Sequence, residues 1–381
     1  MSKKISAYVK ANSFVHAVAE QKEIDLAKSR AFEALGKKEL IHSEKEDILD
    51  KVKSDLGSSP KSGTAHFQLL PHSAAELNKI PLERIPDYLY HRYRYDIFPI
   101  TKEIEDYPPC LQIEPASICN FRCVFCYQTD AELTKKINGH MGFMDVDIFK
   151  SVVDQAVGKI EFITLASRGE PTIHPKFNEL MDYLRDKFLG LKINTNASRL
   201  TEEKCHAILQ SNASTIVFSA DAASEPLYSS MRVNGNLDQT LANVENFQKI
   251  RSKHYPQSSI ITRVSGVKFS KEQTIEDMET TWGKLVDQVA FVDYNPWENS
   301  YERKPSNVAE PCSDLWRRMF IWWDGKANPC DVDYLSKLQM GSSPDLSLSD
   351  LWKGKAYQIL RSNHLSNNRN KIEPCRRCTV I

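Results

Sequence analysis

Short apolar runs alternate with amphipathic stretches through the middle of the chain. The apolar runs have the length of strands and lie at 110–115, 160–166, 191–195, 215–220, 260–266 and 288–293. Between them, apolar side chains recur every three or four positions, as at Phe149, Val152 and Val153, which is the pattern of a helix. Strands that alternate with helices predict parallel β/α units joined by right-handed crossovers. The sequence therefore predicts an α/β fold, as an open sheet or a barrel.

The chain before these units has a different pattern. Residues 1–55 are rich in alanine, lysine, glutamate and leucine, which predicts helices. The stretch "GSSPKSGTAH" at 57–66 predicts a linker or an exposed loop. The run "YLYHRYRYDIFP" at 88–99 is aromatic and basic; such a run can stack on nucleotides, but a lid or a domain-packing face is commoner. We predict a mostly helical extension over 1–107.

Polar residues follow the predicted strands at their carboxyl ends, where parallel β/α folds collect ligands. The first strand runs into a cysteine-containing loop, the second into "SRGEP" at 167–171, the third into "NTNA" at 194–197 and the fourth into "SADA" at 219–222. The fifth strand carries Arg263. We expect these segments to meet at one mouth.

The cysteine loop, "PASICNFRCVFCYQ" at 115–128, contains Cys119, Cys123 and Cys126 in C-x3-C-x2-C spacing. A structural zinc site needs four closed ligands, and this loop supplies three. Three thiolates can instead hold three irons of an iron-sulfur cluster and leave the fourth iron open. The loop therefore favours a cluster with one free coordination position.

At these residues the chain resembles the radical S-adenosylmethionine (radical SAM) superfamily, in which an aromatic residue, here Phe125, precedes the third cysteine. The resemblance implies a partial (β/α)6 TIM-like barrel over 108–300 and a 4Fe-4S cluster whose open iron is chelated by S-adenosylmethionine. It implies one-electron cleavage of that cofactor, with reduced flavodoxin or ferredoxin as electron donor. The resulting 5′-deoxyadenosyl radical abstracts a hydrogen atom from the substrate.

The same resemblance assigns cofactor contacts at the other strand ends. Gly169 and Glu170 match a glycine-glutamate motif that meets the amino group of S-adenosylmethionine, and Arg168 stands where the family usually has another glycine. Positions that approach the ribose or the methionine part of the cofactor are matched by Asn196, Ser219 and Asp221. Arg263 could pair with the carboxylate of the cofactor.

Four further cysteines follow the last predicted barrel strand: Cys312, Cys330, Cys375 and Cys378. The segment "MFIWWDGKANPC" at 319–330 predicts a β-hairpin that turns at Asp-Gly. By ligand chemistry alone, four cysteines fit structural zinc, which we would favour in an arbitrary sequence. The arrangement resembles the twitch form of the SPASM-type auxiliary-cluster domains, which implies one fully ligated 4Fe-4S cluster in a domain at 301–381.

Composition narrows the possible partners and compartment. Lysine plus arginine total 50, as do aspartate plus glutamate, so no net field favours a nucleic acid or an anionic membrane. No signal peptide and no run of eighteen apolar residues is apparent. Nine cysteines in an odd-numbered, clustered pattern indicate metal ligands in a reducing compartment. We expect a cytoplasmic protein with neither nucleic-acid nor membrane partners.

The reaction and the substrate class are less constrained. Cys110 and Cys205 are predicted to be inert packing residues, so no spare thiol is available for epimerisation, and oxidation with the auxiliary cluster as electron acceptor is favoured. The helical N-terminal extension favours a small polar substrate, such as a sugar, a nucleotide sugar or an aminocyclitol. The alternatives are a maturase that oxidises, crosslinks or epimerises a peptide, and a non-catalytic zinc scaffold. No catalytic base is assigned; the pocket candidates are Tyr127, His140, Arg232, Asn295, Trp297 and Glu298.

Overall fold

The computed structural model describes residues 21–60 and 64–381. Its N-terminal helices are α1 (Gln21–Gly36), α2 (Glu46–Leu56), α3 (Pro71–Lys79) and α4 (Ile85–Thr101). The predicted helical extension is thus confirmed from residue 21 onward, and residues 1–20 lie outside the described part. Within the predicted linker, residues 57–60 and 64–66 belong to no helix, and 61–63 lie outside the described residues.

The remaining elements alternate as the sequence pattern predicts. The strands are β1 (Cys110–Ile113), β2 (Arg122–Cys123), β3 (Phe162–Leu165), β4 (Gly190–Thr195), β5 (Thr215–Ser219), β6 (Arg232–Val233), β7 (Ile261–Lys268), β8 (Gln288–Asp293), β9 (Arg318–Ile321), β10 (Lys326–Asn328) and β11 (Gly341–Ser342). The helices are α5 (Ala131–Thr134), α6 (Val146–Ala156), α7 (Phe177–Leu184), α8 (Glu202–Gln210), α9 (Leu227–Met231), α10 (Leu237–His254), α11 (Ile275–Trp282), α12 (Leu348–Lys353) and α13 (Lys355–Leu365).

One sheet organises the fold. Its order is β11-β10-β9-β1-β3-β4-β5-β7-β8, and every neighbouring pair from β9 to β8 is parallel. The six strands predicted from the apolar runs are β1, β3, β4, β5, β7 and β8. The predicted α/β fold with a parallel barrel-type sheet is therefore confirmed.

The sheet buries one face against the helices because alternate residues of each strand are apolar. Leu111 and Ile113 of β1 and Ile163 of β3 pack into one core cluster with Phe149 of α6. The intervening residues, such as Gln112, point to the opposite, inner side. Apolar residues on the outer face of the sheet thus pack against the helices, and polar residues line part of the inside of the barrel.

The helical extension has its own core and covers the amino ends of the strands. Residues of α1 to α4 form a separate apolar cluster. The ring of His91 in α4 stacks on Phe162, the first residue of β3, with centroids 3.9 Å apart, and Arg94 pairs with Glu161 at 3.3 Å. The aromatic, basic run is therefore a domain-packing face, and the extension lies against the end of the barrel opposite the mouth.

The C-terminal region continues the barrel sheet. β9 pairs in parallel with β1, and β10 returns antiparallel to β9. The turn between them uses Gly325 at φ +81°, a backbone conformation that suits glycine. The predicted hairpin and following helical segment are confirmed. Because β9 pairs with β1, the C-terminal region is anchored on the barrel itself. Over the described residues, no helix combines the length and the apolar character that crossing a bilayer requires.

Candidate active site

The structure brings Cys119, Cys123 and Cys126 together beyond the carboxyl end of β1. None of the three forms a disulfide. The loop is pinned by a short antiparallel pairing of β2 with β6, in which Cys123 lies opposite Arg232. Burial raises the pKa of Cys119 to about 12, and the nearby Glu170 and Cys123 contribute to that rise. Without a metal the thiol is the favoured form, and a bound metal would displace its proton.

Hydrogen-bond donors surround these sulfur atoms. Phe121 N lies 3.4 Å and Asn196 Nδ2 3.9 Å from the Sγ of Cys119, and Arg232 Nη1 lies 3.8 Å from the Sγ of Cys123. Donors aimed at ligating sulfurs stabilise thiolates and tune iron-sulfur clusters. The loop therefore fits a three-cysteine cluster, with one iron left open for S-adenosylmethionine.

Asp221 acts on this loop through Arg232. Its Oδ1 accepts from Val267 N at 2.6 Å and its Oδ2 pairs with Arg232 Nε at 2.5 Å, and the side chain is fully buried. Burial raises the pKa of Asp221, and Arg232 opposes that rise. These bonds give Asp221 a positioning role on the cysteine loop, and its contact with S-adenosylmethionine stays a prediction.

The "SRGEP" segment packs directly on the first residues of the cysteine loop. Glu170 N donates to Ile118 O at 2.9 Å, and Gly169 lies so close that a Cβ atom there would come within 2.3 Å of the same oxygen. The Glu170 carboxylate accepts from Thr172 Oγ1, Thr195 Oγ1 and Asn196 N at 2.6, 2.7 and 2.7 Å. This network ties the ends of β3 and β4 to the cysteine loop.

Gly169→Ala is expected to destabilise the protein by about 1–3 kcal/mol, because the added methyl group meets fixed backbone rather than a movable side chain. Urea unfolding followed by circular dichroism measures the effect. Gly36→Ala is the matched control: nothing lies within 4 Å of the added Cβ, and Gly36 ends a helix. A Gly169→Ala variant as stable as the Gly36→Ala variant would contradict the close approach.

Arg168 takes part in a buried ion pair. Its Nη2 lies 2.5 Å from Oε1 of Glu114, and its Nε lies 2.8 Å from Oε2. Its Nη1 donates to Tyr334 O at 2.9 Å, and its guanidinium lies 4.4 Å from the ring centroid of Trp322. Glu114 also accepts from Trp323 N. Arginine in place of the family's usual glycine therefore joins the barrel, the "SRGEP" segment and the C-terminal hairpin.

The other predicted cofactor residues are placed unevenly. Phe125 is buried in the cysteine loop beside Phe269, with centroids 5.7 Å apart, and Asn196 contacts Cys119 as described. Ser219 is the last residue of β5, level with Ser265 of β7. These three lie at the mouth, and their contacts with S-adenosylmethionine stay predictions.

Arg263 lies elsewhere. It is near the start of β7, its Nε donates to Gln288 Oε1 at 2.8 Å, and its charge interacts with Glu76 and Tyr88 of the helical extension. The apolar run predicted a strand end at residue 266, yet the strand reaches Lys268 and Arg263 points toward the closed end. The structure thus corrects its predicted place at the mouth.

The second cysteine set lines one cavity in the C-terminal region. Cys312, Cys330, Cys375 and Cys378 share its wall with apolar side chains such as Leu338. None of the four forms a disulfide, and burial raises the pKa of Cys330, which the other three thiols raise further. Four thiols in an apolar cavity fit a fully ligated cluster.

Arg369 fixes the C-x2-C turn of this cavity. It is 1% exposed, and its guanidinium donates to Cys375 O at 3.3 Å, to Cys378 O at 2.9 Å and to Glu310 O at 2.6 Å. Arginine in "NNRNK" carried no recognisable signal in the sequence, since its partners are backbone carbonyls, two in the nearby C-x2-C turn and one at Glu310. Across the described ranges, no three cysteine, histidine or carboxylate side chains converge tightly enough for a single metal ion.

The pocket candidates divide into two groups. The first group is Tyr127, Asn295, Trp297 and Glu298. The rings of Tyr127 and Tyr334 lie 5.3 Å apart, and Trp297 packs against the cluster that contains them. Arg232 lies at the cysteine loop. His140 is tied to the C-terminal hairpin by its backbone, since its carbonyl accepts from Trp323 Nε1 at 3.0 Å. Arg303, which the sequence analysis did not single out, joins the first group through Asn295.

Comparison with known families identifies both domains. The radical SAM superfamily model matches residues 113–279, and the model of the SPASM iron-sulfur cluster-binding domain matches residues 312–379. The first range contains the cysteine loop, and the second contains the four-cysteine cavity. The domains imply a 4Fe-4S cluster with S-adenosylmethionine and auxiliary iron-sulfur binding.

Individual relatives are distant. Mycofactocin maturase MftC of Mycobacterium tuberculosis is 27% identical over 158 residues, which are 42% of this chain and 39% of the relative. The tungsten-containing aldehyde ferredoxin oxidoreductase cofactor-modifying protein of Pyrococcus furiosus is 30% identical over 113 residues, 29% of this chain and 30% of the relative. The matches thus span two fifths or less of these curated relatives.

A solved structure matches over a longer range. Streptococcus suis SuiB bound to precursor peptide SuiA is 14% identical and has a TM-score of 0.56. The match covers 88% of this chain and 87% of that chain. At this identity the likeness shows a shared fold.

Proposed function

This protein is a radical SAM enzyme with a C-terminal SPASM-type iron-sulfur domain, and from that premise we propose that it is a maturase that modifies a peptide. The observation that carries the proposal is the division of seven disulfide-free cysteines into two sets. A three-thiol loop lies at the barrel mouth, and a four-thiol cavity lies in the adjoining C-terminal region. The residues between the two sets, which we call the gap, include Trp297, which packs against the cluster that Cys126 contacts, and Asn295, which contacts Thr379 beside Cys378.

When bound, the cofactors supply one-electron cleavage of S-adenosylmethionine, removal of a substrate hydrogen atom by the 5′-deoxyadenosyl radical, and transfer of the remaining electron to the auxiliary cluster, with a proton lost to a base. The chain's own residues hold and orient these groups. Cys119, Cys123 and Cys126 ligate the first cluster, and the other four ligate the second. Glu170 keeps the "SRGEP" backbone at the loop, and Asn196 and Arg232 donate toward the sulfurs.

A peptide substrate is better supported than the small polar substrate that the sequence pattern favours. SuiB, whose fold matches along most of this chain, was solved with a precursor peptide, and MftC is a maturase. The helical extension is the sequence feature that counted against a peptide. It packs on the closed end of the barrel and leaves the mouth to the C-terminal region, so it does not bear on what enters the mouth. Oxidation stays our preferred outcome, because both spare cysteines, Cys110 and Cys205, are buried.

Co-expression tests the peptide proposal. The protein is produced with each short reading frame that flanks its gene, and the peptides are examined by mass spectrometry. We expect one peptide to lose two hydrogen atoms, with 5′-deoxyadenosine formed in step when the purified pair is incubated anaerobically with dithionite. Unchanged peptides, together with a sugar fraction consumed in step with 5′-deoxyadenosine, would favour the small-substrate alternative.

Metal analysis tests the enzyme assignment against a zinc scaffold. Anaerobically reconstituted protein is expected to hold about eight irons and eight sulfides per chain, as two four-iron clusters require. Zinc without iron would defeat the enzyme assignment. The free cysteines also support a reducing compartment, and we infer a cytoplasmic location from them.

Cys378→Ala is expected to remove the auxiliary cluster and leave the first one, so that iron falls from about eight to about four per chain. Cleavage of S-adenosylmethionine under dithionite should persist in part, while conversion of the peptide should stop. Iron analysis and chromatography of 5′-deoxyadenosine measure the two effects. Complete loss of cleavage in a folded Cys378→Ala protein would contradict this division of roles.

A further inference from the structure

A group of buried N–H donors without partners lies in the gap between the two cysteine sets. The donors are Asn295 Nδ2, Trp297 Nε1, and Nε and Nη2 of Arg303. Buried donors in folded proteins nearly always have acceptors, and a buried donor without a hydrogen bond costs free energy. Asn295 contacts Arg303 and lies two residues before Trp297, so these four donors indicate a ligand that supplies acceptors.

The amide of Asn295 fixes its own orientation. Its Oδ1 accepts from Arg303 Nη1 at 3.1 Å and from Thr379 Oγ1 at 3.4 Å, so the opposite atom must be the donating Nδ2. The side chain is 4% exposed. Because the amide is buried and held by two bonds, its free N–H group is a fixed feature of the gap.

Arg303 presents the edge of its guanidinium that receives a carboxylate side-on. Nη1 is taken by Asn295, while Nε and Nη2 are buried and unpaired. Burial lowers the pKa of Arg303, and the nearby Cys378, Glu298 and Tyr294 oppose that shift. Two parallel N–H groups match the two oxygens of a carboxylate.

The residues that carry these donors contact the surroundings of both cysteine sets. Trp297 packs against the cluster formed by Tyr127, Leu133 and Tyr334, which Cys126 also contacts. Asn295 contacts Thr379, the residue after Cys378, and Arg377 donates to the carbonyl of Arg303. A molecule held by these donors would therefore lie between the site of radical formation and the auxiliary cluster.

A neighbouring acceptor completes the pattern. One oxygen of Glu298 accepts from the hydroxyl of Tyr294, and the other, Oε2, is buried and has no partner. The gap thus offers an acceptor beside several donors. An amino-acid residue that carries a carboxylate and an adjacent amide N–H satisfies both.

We propose that Asn295, Trp297 and Arg303 form a subsite that binds a carboxylate of the substrate, with Glu298 accepting an adjacent N–H group. The inference rests on the proposed peptide-modifying function and adds the substrate class to it: a peptide whose reacting region contains an acidic side chain or a free C-terminal carboxylate. S-adenosylmethionine is a separate ligand, since its predicted contacts with the open iron and with Gly169 and Glu170 lie at the cysteine loop and the "SRGEP" segment.

Binding of matched small probes tests the subsite. Protein loaded anaerobically with iron, sulfide and S-adenosylmethionine is titrated with N-acetyl-L-glutamate N-methylamide, and saturation-transfer NMR reports binding. N-acetyl-L-glutamine N-methylamide is the uncharged counterpart, and N-acetyl-L-alanine presents a chain-terminal carboxylate. We expect at least one carboxylate probe to bind, the better one showing which source is recognised, and the glutamine probe to bind about tenfold more weakly or worse.

Variants tie binding to the named side chains. Arg303→Gln is expected to weaken the carboxylate probe about tenfold or more, and Arg303→Lys, which keeps the charge without the fork, to weaken it less. The adjacent, exposed Lys304 provides the control, because Lys304→Gln should bind as the wild type does. Circular dichroism and iron content establish that each variant is folded and loaded.

Several results would overturn the subsite. Equal binding of the glutamate and glutamine probes together with no binding of N-acetyl-L-alanine would do so, as would unchanged affinity of the carboxylate probe in Arg303→Gln. A shifted auxiliary-cluster EPR signal in Arg303→Gln with unchanged probe affinity would assign the guanidinium to that cluster instead. Formation of 5′-deoxyadenosine without any probe separates the two proposals. Loaded protein that cleaves S-adenosylmethionine but binds no carboxylate probe refutes the subsite alone. Loaded protein that binds a carboxylate probe but does not cleave S-adenosylmethionine refutes the enzyme assignment alone.

Discussion

The Cys126→Ala variant is expected to form 5′-deoxyadenosine from S-adenosylmethionine only at the background rate. The C-x3-C-x2-C loop supplies three thiolates, and removing one leaves two ligands for a cluster that needs three and an open iron. The assay is anaerobic incubation with dithionite, followed by chromatography of the nucleoside. The iron content should fall by about half, because the four-cysteine cavity retains its own cluster.

Cys205→Ala is the matched control for this variant. Cys205 is fully buried in α8, and its Sγ lies 4.0 Å from Leu200 O, within the outer core of the barrel. Its loss removes little volume and no ligand, so iron content and cleavage should stay at wild-type levels. A Cys126→Ala protein that still cleaves S-adenosylmethionine at the wild-type rate would refute the assignment of the cysteine loop.

The Glu114→Ala variant is expected to be about 3–5 kcal/mol less stable than the wild type. Glu114 is fully buried and Arg168 is 2% exposed, so removing the carboxylate leaves a guanidinium uncompensated inside the protein. A loss of that size is a large part of the stability of a typical domain. Anaerobic urea unfolding of the loaded protein, followed by circular dichroism, measures it.

An exposed pair supplies the comparison. Glu33, in the last turn of α1, pairs with Lys37 just beyond the helix, with side chains 55% and 43% exposed, and Glu33→Ala should change the stability by less than about 0.5 kcal/mol. A double Glu114→Gln, Arg168→Met variant should recover part of the loss, because it removes both buried charges. If Glu114→Ala and Glu33→Ala were equally stable, the buried ion pair would not be the link that we describe.

The ion pair also has a consequence for the site. Arg168 belongs to the segment that carries Gly169 and Glu170, and its other contacts are Tyr334 O and the ring of Trp322 in the C-terminal region. The same side chain therefore fixes both the "SRGEP" segment and the docking of the region that holds the four C-terminal cysteines. Glycine at this position would remove these side-chain contacts.

Much of the fold and of the metal sites could be predicted from the sequence. Apolar alternation located the six barrel strands within a few residues, and Asp324-Gly325 located the hairpin, because these signals arise from neighbours along the chain. The spacing of Cys119, Cys123 and Cys126 indicated an open cluster, because one short loop contains all three ligands. Local spacing also indicated the final C-x2-C pair.

Other features depended on tertiary packing. Arg263 was predicted at the mouth because the fifth predicted strand carries it, and the sheet register places it near the start of that strand, toward the closed end. Asp221 has the residue type and strand-end position of a cofactor ligand, and the packing adds bonds from Arg232 and Val267 that link it to the cysteine loop and β7. Such partners are not visible in a local pattern.

Local patterns along the chain were sufficient for the alternation of strands and helices, the three-cysteine loop and the presence of a second cysteine set. Long-range packing was needed to show that Glu114 and Arg168, 54 residues apart, form one ion pair, and that Asn295 meets Thr379 across 84 residues. Strand and loop signals are set by short-range backbone preferences, whereas buried charges and donors take their partners from whichever distant segments the packing brings beside them.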